Sequence, residues 1–214
     1  MSTPLPLNRL SIIPYELELR NTLDAALYRW DELKAAAEKC LSFEEKWSQE
    51  RQVAPIDWSA KVREQSRIFD YVDGFLSAWA RASLLFFPTG HGTLTKERGV
   101  TLRRLFAIDQ TSPVNNRSLR NAWMHHDERI DILISQGRRA SGQLFTRSAN
   151  VTADIRENYL RIIEIDTLVV HFQDQRGTPQ SVDLHQLREA LQDLERKQGT
   201  AFDQLTVPAD EYAT

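Results

Sequence analysis

Cysteine is almost missing from this chain: its 214 residues include one, Cys40. A lone thiol closes no intramolecular bridge, so a disulfide scaffold is excluded and the fold must be held by its core. Long apolar runs are missing as well. The densest cluster, Trp79 to Phe87, is interrupted by Arg81 and Ser83 and falls short of the roughly 20 apolar residues that span a bilayer. The opening MSTPLPLNRLSIIP has neither the basic start nor the apolar stretch of a secretory signal. The expectation is a protein that does not span a membrane and works in a reducing compartment, the cytoplasm. An excess of one charge is also lacking: the net charge is −3, so no global field draws in nucleic acid and any RNA contact has to be local. No Gly-rich phosphate loop, paired-cysteine zinc site, Ser-His-Asp order, internal repeat or low-complexity segment stands out.

What is present is apolar residues at helical spacing. With 41% hydrophobic residues the chain can bury a sizeable core as one main domain. Ser11 and Pro14 read as a helix start, and Leu19, Leu23, Leu27, Trp30 and Leu33 recur at helical spacing to about Cys40. Residues 41–59 lack a period and contain Pro55, which predicts a loop with Asp57 or Ser59 capping the next element. From Ser59 to Phe87 a stripe through Val62, Phe69, Val72, Leu76, Trp79 and Phe86 predicts a central helix of roughly 40 Å, ended by Pro88-Thr89-Gly90-His91-Gly92. Further helices are predicted from about Lys96 to Ile108 and from Asn116 to Gln136, the latter stopped by Gly137. Residues 138–158 read as a long connection.

The pattern then changes. Ile163, Ile165, Leu168, Val169, Val170 and Phe172 form two short β-rich runs around Asp166-Thr167, and Gly177-Thr178-Pro179 marks a second turn. Asp183 and Gln186 resemble a capping box before a terminal helix through Leu184, Leu187, Leu191 and Leu194. The expected fold is therefore mainly α: four to five helices in a bundle, with a small C-terminal antiparallel β hairpin or sheet. Residues 1–158 form the helical part, 159–205 the hairpin and terminal helix packed on the same domain, and 206–214 a frayed tail.

On a wheel of about 100° per residue, helix 116–136 gathers Leu119, Ala122, Trp123, His126, Ile130 and Leu133 on one side, which predicts a core face. Arg120, Met124, Glu128, Asn121, Ile132 and His125 fall on the opposite side. Met124 and Ile132 beside ionisable groups predict a face that meets another surface, with a second copy of the chain as one candidate. Asp127, Glu128, Arg129 and Asp131 read as an exposed charged network.

Arg120, Asn121 and His125 match the recurring motif of the HEPN superfamily, an Arg followed by a polar residue and then a His four to six positions after the Arg; His126 also lies within the spacing. The resemblance covers this motif and, loosely, the helices before it. It implies a homodimer that cleaves RNA without a metal or other cofactor, the 2′-hydroxyl attacking the neighbouring phosphate. Carried over, His125 is the general base or acid, Arg120 holds the phosphate charge and Asn121 orients the site, with His126 as an additional candidate. It also implies a toxin–antitoxin or defence setting, with a protein antitoxin or other protein as partner. Imidazole exchanges protons near neutral pH and guanidinium stabilises charge on phosphate, so the chemistry is physically coherent.

Blander readings stand beside it. His126 among Leu119, Trp123 and Ile130 reads as a core histidine, and Arg120 and Asn121 as an ion-pairing arginine and an interhelix hydrogen bond. A non-catalytic HEPN-like interaction module is the main alternative. The dipeptide His126-Asp127 with an upstream His91 also fits an HD-type metal phosphohydrolase.

Overall fold

The computed structural model describes residues 9–50, 58–90, 92–137 and 141–203. Within its helices and strands, the side chains of 9–12, 47–50, 58, 60, 61, 126, 141 and 203 lie outside that description. The chain is mainly helical with a small sheet toward the C-terminus. In order, the elements are α1 (Arg9–Glu50), α2 (Trp58–Phe86), α3 (Thr93–Leu105), α4 (Arg117–Met124), α5 (His126–Ser135), β1 (Ser141–Thr146), α6 (Ala153–Asn158), β2 (Tyr159–Glu164), β3 (Val169–Gln173), β4 (Pro179–Asp183) and α7 (Leu184–Asp203). No helix among the described residues is long and apolar enough to cross a membrane.

Several boundaries differ from the expectation. Helix α1 begins at Arg9, so Pro14 sits in its second turn, and it continues through Glu50 across residues read as loop. Sequence periodicity gave no sign of the extension, because Phe43 is exposed and Glu44 is engaged instead by Arg147, 103 positions away, at 3.0 Å. Pro55, Asp57, His91 and the tail from 206 onward lie outside the described residues. The expected connection 138–158 contains strand β1 and helix α6. Strand β1 pairs in parallel with β2, whereas β2–β3 and β3–β4 are antiparallel, in the order β1-β2-β3-β4. A six-residue strand with no internal alternation is invisible locally, because its ladder partner arrives only after α6 closes the crossover.

The turns behave as their residues require. Gly177, at φ 71, closes the β3–β4 connection, with Asp174 Oδ1 accepting from the N–H groups of Arg176 and Thr178. Asp183 Oδ1 accepts from His185 N at 2.8 Å, a cap on α7 shifted from the expected partner Gln186.

Two compact units share the chain. One comprises Met1–Leu27, Ala78–Asn116 and Leu187–Thr214; the other comprises Tyr28–Ser77 and Arg117–Gln186. The core of the first contains Leu19, Leu23, Trp79, Phe86, Leu102, Phe106, Leu191, Leu194 and Phe202. Phe106 lies edge-on to Phe86 and Phe202 at 5.3 and 5.5 Å between centroids. Arg103 donates to the Phe86 carbonyl, and a Cβ on Gly99 would meet Pro88 Cδ at 2.7 Å and the Phe86 carbonyl oxygen at 3.0 Å. Neither neighbour can yield cheaply. Gly99→Ala is therefore expected to lower stability by about 1–2 kcal/mol in urea titration, overpacking outweighing the better helix propensity of Ala.

The second unit packs Leu33, Ala36, Cys40, Ile68, Val72, Phe75 and Leu76 of α1 and α2, and Leu119, Ala122, Trp123 and Leu133 of α4 and α5, with Ile162, Ile163, Val170 and Phe172 of the sheet. Strands β2 and β3 are buried on both faces over most of their length, so their residues read as runs and not as alternation. Buried Glu164 accepts from Thr167 Oγ1 and shares a 2.6 Å hydrogen bond with His171 Nε2.

Across α1 and α2, Glu64 accepts from Lys39 Nζ at 2.7 Å and from Arg67 Nη1 at 3.1 Å. The Lys39 hydrogen bond holds its carboxyl below the ordinary value of 4.5, against burial, which pushes the other way. A lowered carboxyl contributes stability that is present above its unfolded pKa and lost as pH falls through the lower folded value. Glu64→Gln is expected to cost no more than about 1 kcal/mol at neutral pH and to flatten the acid limb of stability, read from urea midpoints across the acid range.

Candidate functional site

A 3-10 turn at Pro113–Asn115, with the Ser112 hydroxyl accepting from Val114 N at 3.4 Å, leads into α4. Leu119, Ala122 and Trp123 anchor this helix in the second unit, each less than 5% exposed. Trp123 Nε1 donates to Asp73 Oδ1 at 2.9 Å, and its ring lies 6.4 Å from Phe69 and 4.0 Å beneath the Arg161 guanidinium.

The single helix expected from 116 to 136 is broken. His125, at φ −125 and ψ 51, leaves the helical conformation, and α5 starts anew at His126 with Asp127 and Glu128 in its first turn. In an unbroken helix the Trp123 carbonyl would accept from Asp127; here it accepts from Arg161 Nη2 at 3.2 Å. Two acidic residues in the first turn of α5 complement its positive end.

The residues of the motif differ in exposure. Arg120 is 2% exposed, and burial, with Arg117 nearby, pulls its guanidinium below the ordinary arginine range. It was expected on the open side and is instead inside. His125 is exposed, with Nδ1 3.4 Å from Glu128 Oε1. Arg120 is thus buried where His125 is exposed. Asn121 is half-buried, and its carbonyl accepts from His125 N at 3.0 Å. The side chain of His126 lies outside the described residues. His91 does too, so the metal-site alternative has no geometry here; among the described residues no three potential metal ligands cluster.

A different set does share a face. Arg117, Ser118 and Asn121 fall within about 100° of one another on α4, and they line one wall of a groove of about 400 Å³ whose other wall is Asp174, Gln175 and Arg176 of the β3–β4 turn. His125 follows Asn121 by one turn. Arg117 and Arg176 are exposed, which leaves two guanidinium groups accessible to a polyanion. The sequence signal for Arg117 was its place four residues before Asn121; Arg176 had none, because only the sheet brings that turn to α4.

Two further arginines were missed. Arg129, expected in an exposed charged network, is 5% exposed, and Arg161 is 7% exposed. Burial pulls Arg161 below the ordinary arginine range, with Asp73 acting in the opposite direction. A guanidinium among Leu160, Ile162 and Ile163 was the one local hint. No protein-family model, curated protein or solved structure matches this chain.

Proposed function

We propose that this chain is a metal-independent endoribonuclease of HEPN type, acting from the exposed face of α4. The observation that supports it most is the groove lined by Arg117, Ser118 and Asn121 on one wall and Arg176 on the other, with exposed His125 four residues after Asn121. In this reading the two exposed guanidinium groups hold the phosphodiester, and Asn121 orients it. The 2′-hydroxyl attacks the adjacent phosphorus, the bond to the 5′-oxygen breaks, and the products are a 2′,3′-cyclic phosphate and a 5′-hydroxyl end. One imidazole takes the 2′-hydroxyl proton and a second gives a proton to the leaving oxygen, which a homodimer supplies by bringing two copies of His125 to one strand. Exposed Met124 and Ile134, at the ends of α4 and α5, offer apolar area for that pairing. A protein antitoxin and a toxin–antitoxin or defence setting belong to the same reading.

The burial of Arg120 favours a second reading, a non-catalytic HEPN-like interaction module, because a side chain 2% exposed reaches no substrate. Incubation of the purified chain with mixed-sequence RNA in EDTA separates the two. Fragments ending in 2′,3′-cyclic phosphate are expected; intact RNA under all conditions would leave the binding module standing.

A further inference from the structure

Away from the α4 groove, the second unit has a partly open pocket of about 130 Å³ whose walls include Arg129 of α5, Leu160 and Arg161 of β2, and Phe172 and Gln173 of β3. A single water needs roughly 10–15 Å³, so the space admits a polyatomic ion. Both arginines are more than nine-tenths buried. Among the described residues Arg129 Nε has no hydrogen-bond partner. Arg161 donates to the Trp123 carbonyl, and its neighbouring carboxylate, Asp73, is itself the acceptor for Trp123 Nε1. Gln173 directs Nε2 to the carbonyls of Arg156 and Tyr159, at 2.7 and 3.4 Å, which leaves its buried Oε1 without a donor.

A buried cation without a counter-ion is costly; the Asp73 carboxylate acts on Arg161, whereas Arg129 Nε is left unpartnered among the described residues. A group that offsets Arg129, adds to what Asp73 supplies to Arg161 and also serves Gln173 needs anionic oxygens and one hydroxyl. A carboxylate has one charge and no proton to give; sulfate has two charges and no proton. Monohydrogen phosphate has both, and planar guanidinium groups pair with its oxygens in fork geometry. We propose that this cavity binds phosphate, with Arg129 and Arg161 taking its anionic oxygens and Gln173 Oε1 accepting from its P–OH. Gly142 on β1, exposed at the rim, has open space beside it for entry. The ligand ties α5 to β2, and the proposal does not depend on RNA cleavage.

The test is thermal unfolding of the full chain in inorganic phosphate, sulfate or chloride at matched ionic strength. Phosphate is expected to raise the melting temperature saturably, by roughly 5–10 °C at a hundredfold excess over Kd, with sulfate at least tenfold weaker. Arg129→Met is expected to melt no lower than wild type without phosphate, since it removes an uncompensated charge, and to gain nothing from phosphate. Leu160→Phe, which narrows the cavity and keeps both arginines, is expected to lose the response too. A parallel arm with 5′-phosphorylated and 5′-hydroxyl oligoribonucleotides separates free phosphate from a nucleic-acid end: a response to the 5′-phosphorylated strand alone keeps the site and changes the source. No saturable response to either phosphate form, or a full response in Arg129→Met or Leu160→Phe, overturns the proposal.

Discussion

Alanine at position 123 is expected to destabilise the protein by about 4–5 kcal/mol, enough to unfold a domain of ordinary stability at moderate denaturant. The indole ties three elements of the second unit together, α4, α2 and β2. Its ring packs on Phe69 of α2, carries the Arg161 guanidinium of β2 on its face, and gives its N–H to Asp73. Removing it leaves a large void, an Asp73 carboxylate without this donor and a buried guanidinium that keeps the more distant Phe69 ring, 5.8 Å away. Trp123→Phe keeps most of the volume and loses the N–H, so its expected cost is about 1–2 kcal/mol. Urea unfolding followed by far-ultraviolet circular dichroism reads both. Equal costs for the two variants would show that the Asp73 bond, and not the ring, dominates.

The second large effect concerns RNA. If the exposed face of α4 cleaves, His125→Ala is expected to lower the rate by roughly 10²–10⁴-fold with the melting temperature unchanged, because the imidazole is exposed and its charged partner among the described residues, Glu128, is exposed as well. Arg117→Ala is expected to weaken cleavage by about 10-fold or more, also without loss of stability. Arg120→Ala is expected to behave differently: its side chain is buried, so stability falls first and activity follows the folded fraction. Single-turnover rates beside melting curves for the three variants make the comparison. If Arg120→Ala abolished cleavage in a fully folded protein, the buried arginine would have to reach the substrate in a state other than this one, and the assignment of Arg117 would fail.

The difference between Arg117 and Arg120 shows where sequence reasoning stops. Three positions apart on α4, they look interchangeable in a motif, yet Arg117 is exposed and Arg120 is 2% exposed, which depends on what packs against the helix; for the residues that follow, wheel geometry assumes that the helix continues. It does not continue past Met124, because the Trp123 carbonyl is engaged by Arg161, 38 positions later in the chain. Arg129 was misplaced for another reason: it was read by its charge, beside Asp127, Glu128 and Asp131, and the structure buries it.

Periodicity by itself determined the helices α2 and α7, the core residues Leu119, Ala122, Trp123 and Leu133, the two turns of the C-terminal sheet and the lack of a long apolar run, since each depends on neighbours within a few residues. The parallel partner of β1, the continuation of α1 to Glu50, the break at His125, the burial of Arg120, Arg129 and Arg161, and the meeting of α4 with the β3–β4 turn were decided by tertiary structure alone. Each depends on a contact made between residues far apart in the chain, and the free energy of such a contact leaves no trace in the local order of side chains.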